Sequence, residues 1–195
     1  MSVDCYNFDG SGYAKQDATL EPRHVEFLVE RGISPEISRE RGYRTITVKA
    51  RLADKGFSPG QCRVPGLLIP LCNARGEIKE YQYRPDDPRV RNGKPVKYES
   101  PSKSRPVIDV PKRLSLARKV DQETPFDSEE LPPPILDVTV PLLIREGVPK
   151  ADAAVGIGLC CIALLGVSAW HRLPDWNDFP IKERLIFLCF DSDAM

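Results

Sequence analysis

Hydrophobic residues recur at helical spacing in short segments that end near glycines, and these segments predict helices between residues 20 and 57 of the 195-residue chain. Residues 1–19 are polar and have no periodicity, which predicts a flexible arm. Ser34 followed by Pro35 is typical of a helix cap and first helical residue. Capping residues and apolar spacing together predict three short helices, at 21–32, 34–43 and 47–57.

The pattern changes from helices to strands near residue 66. Residues 66–85 indicate two apolar strands around a turn at 73–76, where Asn and Gly favour a reversal of the chain. Shorter extended segments follow at 95–100 and 104–111. We therefore expect residues 20–119 to form an α+β domain in which small helices precede a small antiparallel sheet.

A third pattern begins after residues 120–134, which are acidic, proline-rich and without an apolar face, as expected of a linker. Three apolar runs then alternate with crossovers, and the first run ends near Ile144. The order predicts a parallel sheet with helices packed on it, forming an α/β domain over residues 135–195. The elements are strands within 135–147, 159–167 and 184–190 and a helix at 148–158.

Charge is distributed unevenly although the chain has 28 basic and 28 acidic residues. Residues 51–119 contain 16 Lys and Arg against 7 Asp and Glu, whereas residues 120–195 contain 5 against 13. This asymmetry predicts a polyanion-binding surface next to a cation-binding one. Solvated charged faces are the alternative explanation, and the sequence leaves it open.

Composition excludes several classes of protein. The chain is 41% hydrophobic and 29% charged, which is typical of a globular domain. No apolar stretch approaches the roughly 20 residues that span a bilayer, and the first residues lack a signal-peptide pattern, so we expect a cytoplasmic protein without membrane partners. The six cysteines form no C-x-x-C pair, and we expect reduced, buried thiols rather than a structural zinc site.

Three carboxylates lie where the predicted strands end. Glu146 follows the first strand of the predicted α/β domain, and Asp191 and Asp193 follow the third. Ligands of parallel sheets bind at the carboxyl ends of strands, and if the two strands are neighbours the three side chains converge. Converging carboxylates need a counter-charge such as Mg²⁺ or Mn²⁺. A lone Asp-x-Asp is more often a solvated strand end, but the combination favours a metal site.

Basic and aromatic residues alternate in the middle of the chain. Cations that track phosphates and rings that stack on bases suit single-stranded nucleic acid, whereas an exposed sheet face and a solvated loop would show the same composition. The candidate nucleic-acid-binding residues are Arg84, Arg89, Arg91, Lys94, Lys97 and Tyr98.

Three further polar residues are predicted to lie near the ends of these strands. Lys150 and Asp152 lie on the helix predicted after that residue, and Lys150 is a candidate phosphate contact. A surface ion pair is the alternative that the pattern favours. His171 lies in a crossover near the predicted strand tips, where a functional role is one interpretation and a structural or exposed histidine is the commoner one.

The stretch "PLLIREGVPKADAAVGIGLCCIALLGV" followed by "LIFLCFDSDAM" resembles the Toprim domain of primases, topoisomerases and related nucleases. In that family one strand ends in Glu-Gly and a later strand ends in Asp-x-Asp. The resemblance implies that Glu146 acts in general acid–base catalysis or helps to hold metal. It also implies that Asp191 and Asp193 hold Mg²⁺.

The first half resembles the polymerase core of bacterial replicative primases, in "FLVERGISPEISRERGY" and in "GLLIPLCNARGEIKEYQYRP" followed by "KYESP". Similar primase-like Toprim proteins occur in phages, plasmids and other mobile elements, many known only as domains of unknown function. The resemblance implies Mg-dependent primer synthesis from nucleoside triphosphates on single-stranded DNA during replication of a mobile element. A replicative helicase is a further candidate partner.

The chain departs from that pattern in two ways. It has no Cys and His cluster for the zinc ribbon of replicative primases, and it stops just after the Asp-x-Asp, so we expect a Toprim domain truncated at its C-terminus. A non-catalytic nucleic-acid-binding module with a vestigial site and a Toprim nuclease are the alternatives. A phosphatase of the haloacid dehalogenase type is disfavoured, because there the Asp-x-Asp begins the domain.

Overall fold

The structure, a computed structural model, describes residues 20–115, 133–166 and 173–190. The predicted arm at 1–19 and all of the predicted linker except Pro133 and Pro134 lie outside these residues, as do His171, Asp191 and Asp193. Among the described residues, no helix has both the length and the apolar composition that crossing a membrane requires.

Three short helices lie within the segments predicted for them. They are α1 (Pro22–Val29), α2 (Pro35–Arg41) and α3 (Lys49–Ala53). The Ser34 side chain accepts a hydrogen bond of 3.2 Å from the backbone N–H three residues later and so caps α2. Gly42 ends α2 with a φ of 82°, a left-handed conformation that glycine adopts without strain.

An antiparallel sheet follows in the order β1 (Arg44–Ile46), β2 (Gly66–Cys72) and β3 (Ile78–Pro85). All seven residues of β2 are buried, because its alternate side chains enter two different hydrophobic clusters. Gly66 is required by a close approach, since an added Cβ would lie 2.4 Å from the hydroxyl oxygen of Tyr83. The predicted pair of strands around the turn at 73–76 is present.

A small hairpin extends beyond this sheet. It consists of β4 (Val90–Arg91) and β5 (Lys94–Pro95), joined by the two residues Asn92 and Gly93. Both turn residues have positive φ, 52° and 74°, which is the geometry of a tight two-residue hairpin. Beyond β5 the chain returns to β3, where Glu99 forms an isolated bridge.

The second large sheet is mixed, with the strand order β6-β8-β7-β9. The central strand β7 is parallel to both neighbours, but β6 is antiparallel to β8 and comes from the segment predicted to belong to the first domain. The expectation of a parallel sheet built from residues 135–195 alone is therefore corrected. Its strands are β6 (Ile108–Asp109), β7 (Leu142–Glu146), β8 (Cys161–Leu164) and β9 (Ile186–Cys189).

One hydrophobic core joins the two halves of the protein, the N-terminal half at residues 20–115 and the C-terminal half at residues 133–166 and 173–190. α4 (Val148–Gly156) packs on the mixed sheet, and its Ala151 and Val155 share a buried cluster with Leu28 of α1 and Ile37 of α2. The predicted division into separate domains stays a prediction. The described residues of the two segments nevertheless bury their apolar side chains against each other.

A fully buried arginine connects four elements at this junction. The Arg41 guanidinium, at the end of α2, donates to both carboxylate oxygens of Asp152 on α4, at 2.6 and 3.0 Å. It also donates to Asp109 on β6 and, at 3.2 Å, to the carbonyl of Pro70 on β2. The Tyr43 hydroxyl donates to Asp152 at 2.7 Å. Asp152 therefore belongs to a buried network and not to the surface ion pair expected on this helix.

The charges of this network do not balance. One buried guanidinium faces two buried carboxylates, and within the described residues the second oxygen of Asp109 has no hydrogen-bond partner. Burial raises the pKa of the Asp109 carboxyl, and the neighbouring Arg41 opposes this shift only in part. The first oxygen of Asp109 also accepts the backbone N–H of Cys72 at 2.9 Å, which ties β6 to the end of β2.

Replacing Arg41 with methionine tests the importance of this network. Arg41→Met leaves Asp109 and Asp152 buried without a counter-charge, so we expect the free energy of unfolding to fall by roughly 3–5 kcal/mol. Arg44→Met, an exposed arginine three residues later, should change it by less than about 0.5 kcal/mol. Urea unfolding followed by circular dichroism measures both, and equal effects would contradict the assignment.

Asp109 should also make stability depend on pH. Because its pKa is higher in the folded than in the unfolded protein, the folded state binds the proton more tightly, and stability falls as pH rises from about 4 through the folded pKa. Asp109→Asn removes this contribution. We expect the stability of the variant, relative to the parent protein, to increase with pH in urea titrations between pH 4 and 8. Parallel pH profiles would contradict the prediction.

Candidate functional site

A cleft of about 1250 Å³ opens between the two halves of the protein. One wall comes from the N-terminal half and includes Arg84 of β3 and the residues that follow β5. The other wall is the carboxyl end of β7 and the beginning of α4. The position agrees with the rule that ligands of parallel strands bind beyond their carboxyl ends.

Glu146 is the last residue of β7 and lines this cleft. The next residue, Gly147, has a φ of 91°, which lets the chain turn directly from the strand into α4. Lys150, on the first turn of α4, lines the same cleft. Within the described residues the Glu146 carboxylate makes no hydrogen bond or ion pair, and it lines the cleft, where a ligand can reach it.

The strand order meets the condition for the predicted metal site. β7 and β9 are parallel neighbours, and Arg145 is paired with Cys189, so both strands end at the same edge of the sheet. Asp191 and Asp193 follow β9 in sequence but lie outside the described residues. In the part of the chain that is described, no group of three His, Cys, Asp or Glu side chains could hold a metal ion. The convergence of the three carboxylates stays a prediction.

The opposite wall combines cations with aromatic rings. Arg84, Lys97 and Tyr98 all line the cleft. The guanidinium carbon of Arg84 lies 4.6 Å from the ring centroid of Phe27 and 5.5 Å from that of Tyr98. Contacts of this kind hold a guanidinium over aromatic faces while leaving its N–H groups able to bind an anion.

The other three candidate nucleic-acid-binding residues lie away from the cleft lining. Arg89 forms an ion pair with the buried Glu99, with Nη2 2.9 Å from Oε2, and this hydrogen bonding raises the pKa of Arg89. Arg91 and Lys94 lie on the β4–β5 hairpin and are exposed. The structure thus brings three of the six residues together with Glu146 and Lys150.

Two cleft residues were missed in the sequence. Arg31, just after α1, places its guanidinium carbon 3.6 Å from the Phe27 ring centroid, and the spacing of four residues between them could have indicated this contact. Arg145 also lines the cleft, and within the described residues its buried Nε has no hydrogen-bond partner. A single arginine inside an apolar run gave no signal of where it would point.

The arrangement has a definite chemical capacity. A carboxylate at one wall can bind a hard cation, and guanidinium and ammonium groups at the other can bind phosphates. The half-buried ring of Tyr98 beside them can stack on a base. The cleft therefore suits a ligand that carries both phosphates and aromatic bases.

One family model and several solved structures are similar to this chain. Residues 134–195 match the model of a family described as a domain of unknown function, DUF3854. No curated protein matches the chain. Among solved structures, the primase of Aquifex aeolicus (zinc-binding and RNA polymerase domains) is similar, with a TM-score of 0.55 and 16% identity over 88% of this chain and 43% of that one.

Two other similar structures are DnaG primases. A DnaG catalytic domain bound to single-stranded DNA has a TM-score of 0.55 and 14% identity over 93% of this chain and 59% of that one. The RNA polymerase domain of Mycobacterium tuberculosis DnaG has a TM-score of 0.54 and 15% identity, with 93% and 63% covered. The chain thus spans about half the length of these proteins, and it has the fold of a bacterial primase catalytic core.

Proposed function

We propose that this protein is a primase-like nucleotidyltransferase that synthesises primers on single-stranded DNA. The observation that carries the proposal is the cleft in which Glu146 faces a wall formed by Arg84, Lys97 and Tyr98. The fold of primase catalytic cores and the presence of single-stranded DNA in one similar structure support it.

The wall that contains Arg84 and Tyr98 binds the template strand. The cation–π contacts of Arg84 fix its guanidinium beside the Phe27 and Tyr98 rings, so that phosphates and bases of one strand meet matching groups. Lys97 and Lys150, on opposite walls of the cleft, are placed to bind the phosphates of an incoming nucleoside triphosphate. Cations that face each other in this way hold a triphosphate near Glu146.

A divalent metal ion, Mg²⁺ or Mn²⁺, fits the donor chemistry of Glu146, whose carboxylate has no partner within the described residues. Asp191 and Asp193 are the proposed further ligands, since they follow β9 in sequence and β9 ends at the same edge of the sheet as β7. When bound, the ion supplies charge neutralisation at the reacting phosphate. In the reaction the 3′-hydroxyl oxygen forms a bond to the α-phosphorus, the bond from that phosphorus to the pyrophosphate oxygen breaks, and pyrophosphate leaves. The hydroxyl proton passes to Glu146 or, where Glu146 holds the ion, to water.

Two parts of the proposal, a role in replication of a mobile element and a replicative helicase as partner, come from the resemblance of the sequence alone and stay predictions. A cytoplasmic location, expected from the composition, also stays a prediction. The same cleft would also serve a nuclease or a non-catalytic binding module, and the experiments below distinguish these outcomes.

Binding of Mn²⁺, followed by paramagnetic resonance, tests the metal site. We expect both Glu146→Gln and Asp191→Asn/Asp193→Asn to weaken binding at least tenfold, because each removes charged oxygen ligands from one site. Glu183→Gln is the matched control, since Glu183 precedes β9 and lies toward the opposite edge of the sheet. It should leave binding unchanged.

The outcomes separate the candidate functions. Metal binding that is indifferent to the Glu146 and Asp191/Asp193 changes would contradict the site. Metal binding with DNA cleavage but no nucleotide incorporation would favour the nuclease. Strand binding with neither metal binding nor chemistry would favour the non-catalytic module.

Strand binding by the cleft wall is tested at Tyr98. Stacking of one base on an aromatic ring is worth about 1–3 kcal/mol, so Tyr98→Ala should weaken the binding of a labelled oligodeoxythymidine roughly 5- to 150-fold. Tyr98→Phe keeps the ring and should bind within about twofold of the parent protein. Fluorescence anisotropy measures both variants, and equal affinity of all three proteins would exclude stacking on this residue.

A further inference from the structure

The β4–β5 hairpin is held at its base by a backbone hydrogen bond and an ion pair. Its two strands are joined by the minimal turn at Asn92 and Gly93, and the N–H of Val96 donates to the carbonyl of Arg89 at 2.8 Å. Arg89 is held in turn by Glu99, whose side chain is only 3% exposed. The base of the hairpin is therefore fixed to the main sheet, and its tip points away from that anchor.

Two cations at the tip face each other without a counter-charge. Arg91 and Lys94 are directly opposite in the register of β4 and β5, which places their Cβ atoms about 5 Å apart on one face of the hairpin. Both residues are exposed, and neither forms an ion pair within the described residues. Opposed like charges destabilise a hairpin, and a bound anion would relieve the repulsion.

The hairpin borders the cleft. Lys97 and Tyr98 line the cleft wall, and only Val96 separates them from the end of β5 at Pro95. An extended chain covers at most about 3.6 Å per residue, so Lys97 lies no more than about 7 Å along the backbone from the hairpin. A nucleic acid that leaves the cleft on this side would meet Arg91 and Lys94.

We propose that the β4–β5 hairpin binds the phosphate backbone of the primer–template duplex. The inference rests on the proposed function, because primer synthesis produces a duplex from the template strand held in the cleft. Arg91 and Lys94 would contact phosphates of the duplex, and Arg89 would hold the hairpin in position.

The chemistry of the hairpin favours a duplex over a single strand. Residues 88–96 contain no aromatic ring, whereas single-strand binding depends on rings that stack on bases. Such rings, Phe27 and Tyr98, belong instead to the cleft region. In a duplex the bases are already stacked and the outer surface presents phosphates, so cations on the hairpin can bind it without aromatic rings.

The test compares two ligands in one assay. A labelled 12-base-pair RNA–DNA hybrid and the matching 12-nucleotide DNA strand are titrated by fluorescence anisotropy between 50 and 200 mM salt. The variant is Arg91→Gln/Lys94→Gln. The control, Lys103→Gln/Arg105→Gln, removes one exposed lysine and one exposed arginine elsewhere on the surface.

For the hybrid we expect the slope of log affinity against log salt to become shallower by about two units in the hairpin variant. Between 50 and 200 mM salt, the hairpin variant should therefore lose affinity for the hybrid by a factor about ten times smaller than the factor lost by the parent protein. Single-strand affinity should stay within about twofold, and the control should behave as the parent protein. The melting temperature of the hairpin variant should not decrease, since a repulsive pair has been removed.

Two results would overturn the inference: an unchanged slope for the hybrid, or an equal loss of affinity for the hybrid and the single strand. The assay needs no catalysis, so it separates this inference from the proposed function. A chain that binds no metal and makes no primer, but loses hybrid affinity selectively in the hairpin variant, would contradict only the enzymatic proposal. A chain that binds metal and makes primer, but shows no selective loss of hybrid affinity in the hairpin variant, would contradict only the role of the hairpin.

Discussion

The contact between Arg41 and two buried carboxylates is the constraint on which the arrangement of the two halves depends. Its guanidinium is shared by α2, β2, β6 and α4, so these elements cannot move apart without leaving charges buried and unpaired. α4 begins directly after Glu146, and β2 pairs with β3, which carries Arg84. The buried network therefore fixes the distance between the walls of the cleft without touching any ligand in it.

The helices and strands that could be predicted are those whose hydrophobic pattern and turn residues are visible in their own segment of the sequence. The β2–β3 pair and α4 follow from local alternation, turn residues and glycines. β6 has only two residues and no period, and its place in the second sheet is decided by pairing with β8 far along the chain. Nothing in the sequence showed that Arg41 and Asp152 would be buried, because helical spacing does not show which face a distant element will cover.

The same distinction applies to the candidate site. Glu146 could be found because the end of an apolar strand defines its position, and the adjacency of β7 and β9 was a stated condition that the structure confirms. The sequence did not show which of the basic residues line the opposite wall of the cleft. Arg89 and Arg84 look equivalent in sequence, but one is held by a buried glutamate and the other faces the cleft, and only packing separates them.

The position of β6 in the chain has a consequence during synthesis of the protein. A ribosome adds about 5–20 residues per second, and the partner strand β8 begins about 50 residues after β6 ends. The nascent N-terminal half therefore waits roughly 3–10 s with an unpaired strand and with Arg41 lacking its partner on α4. During this interval the strand edge and the apolar faces of α1 and α2 are uncovered, so the nascent chain is open to pairing with other chains until β8 and α4 are made.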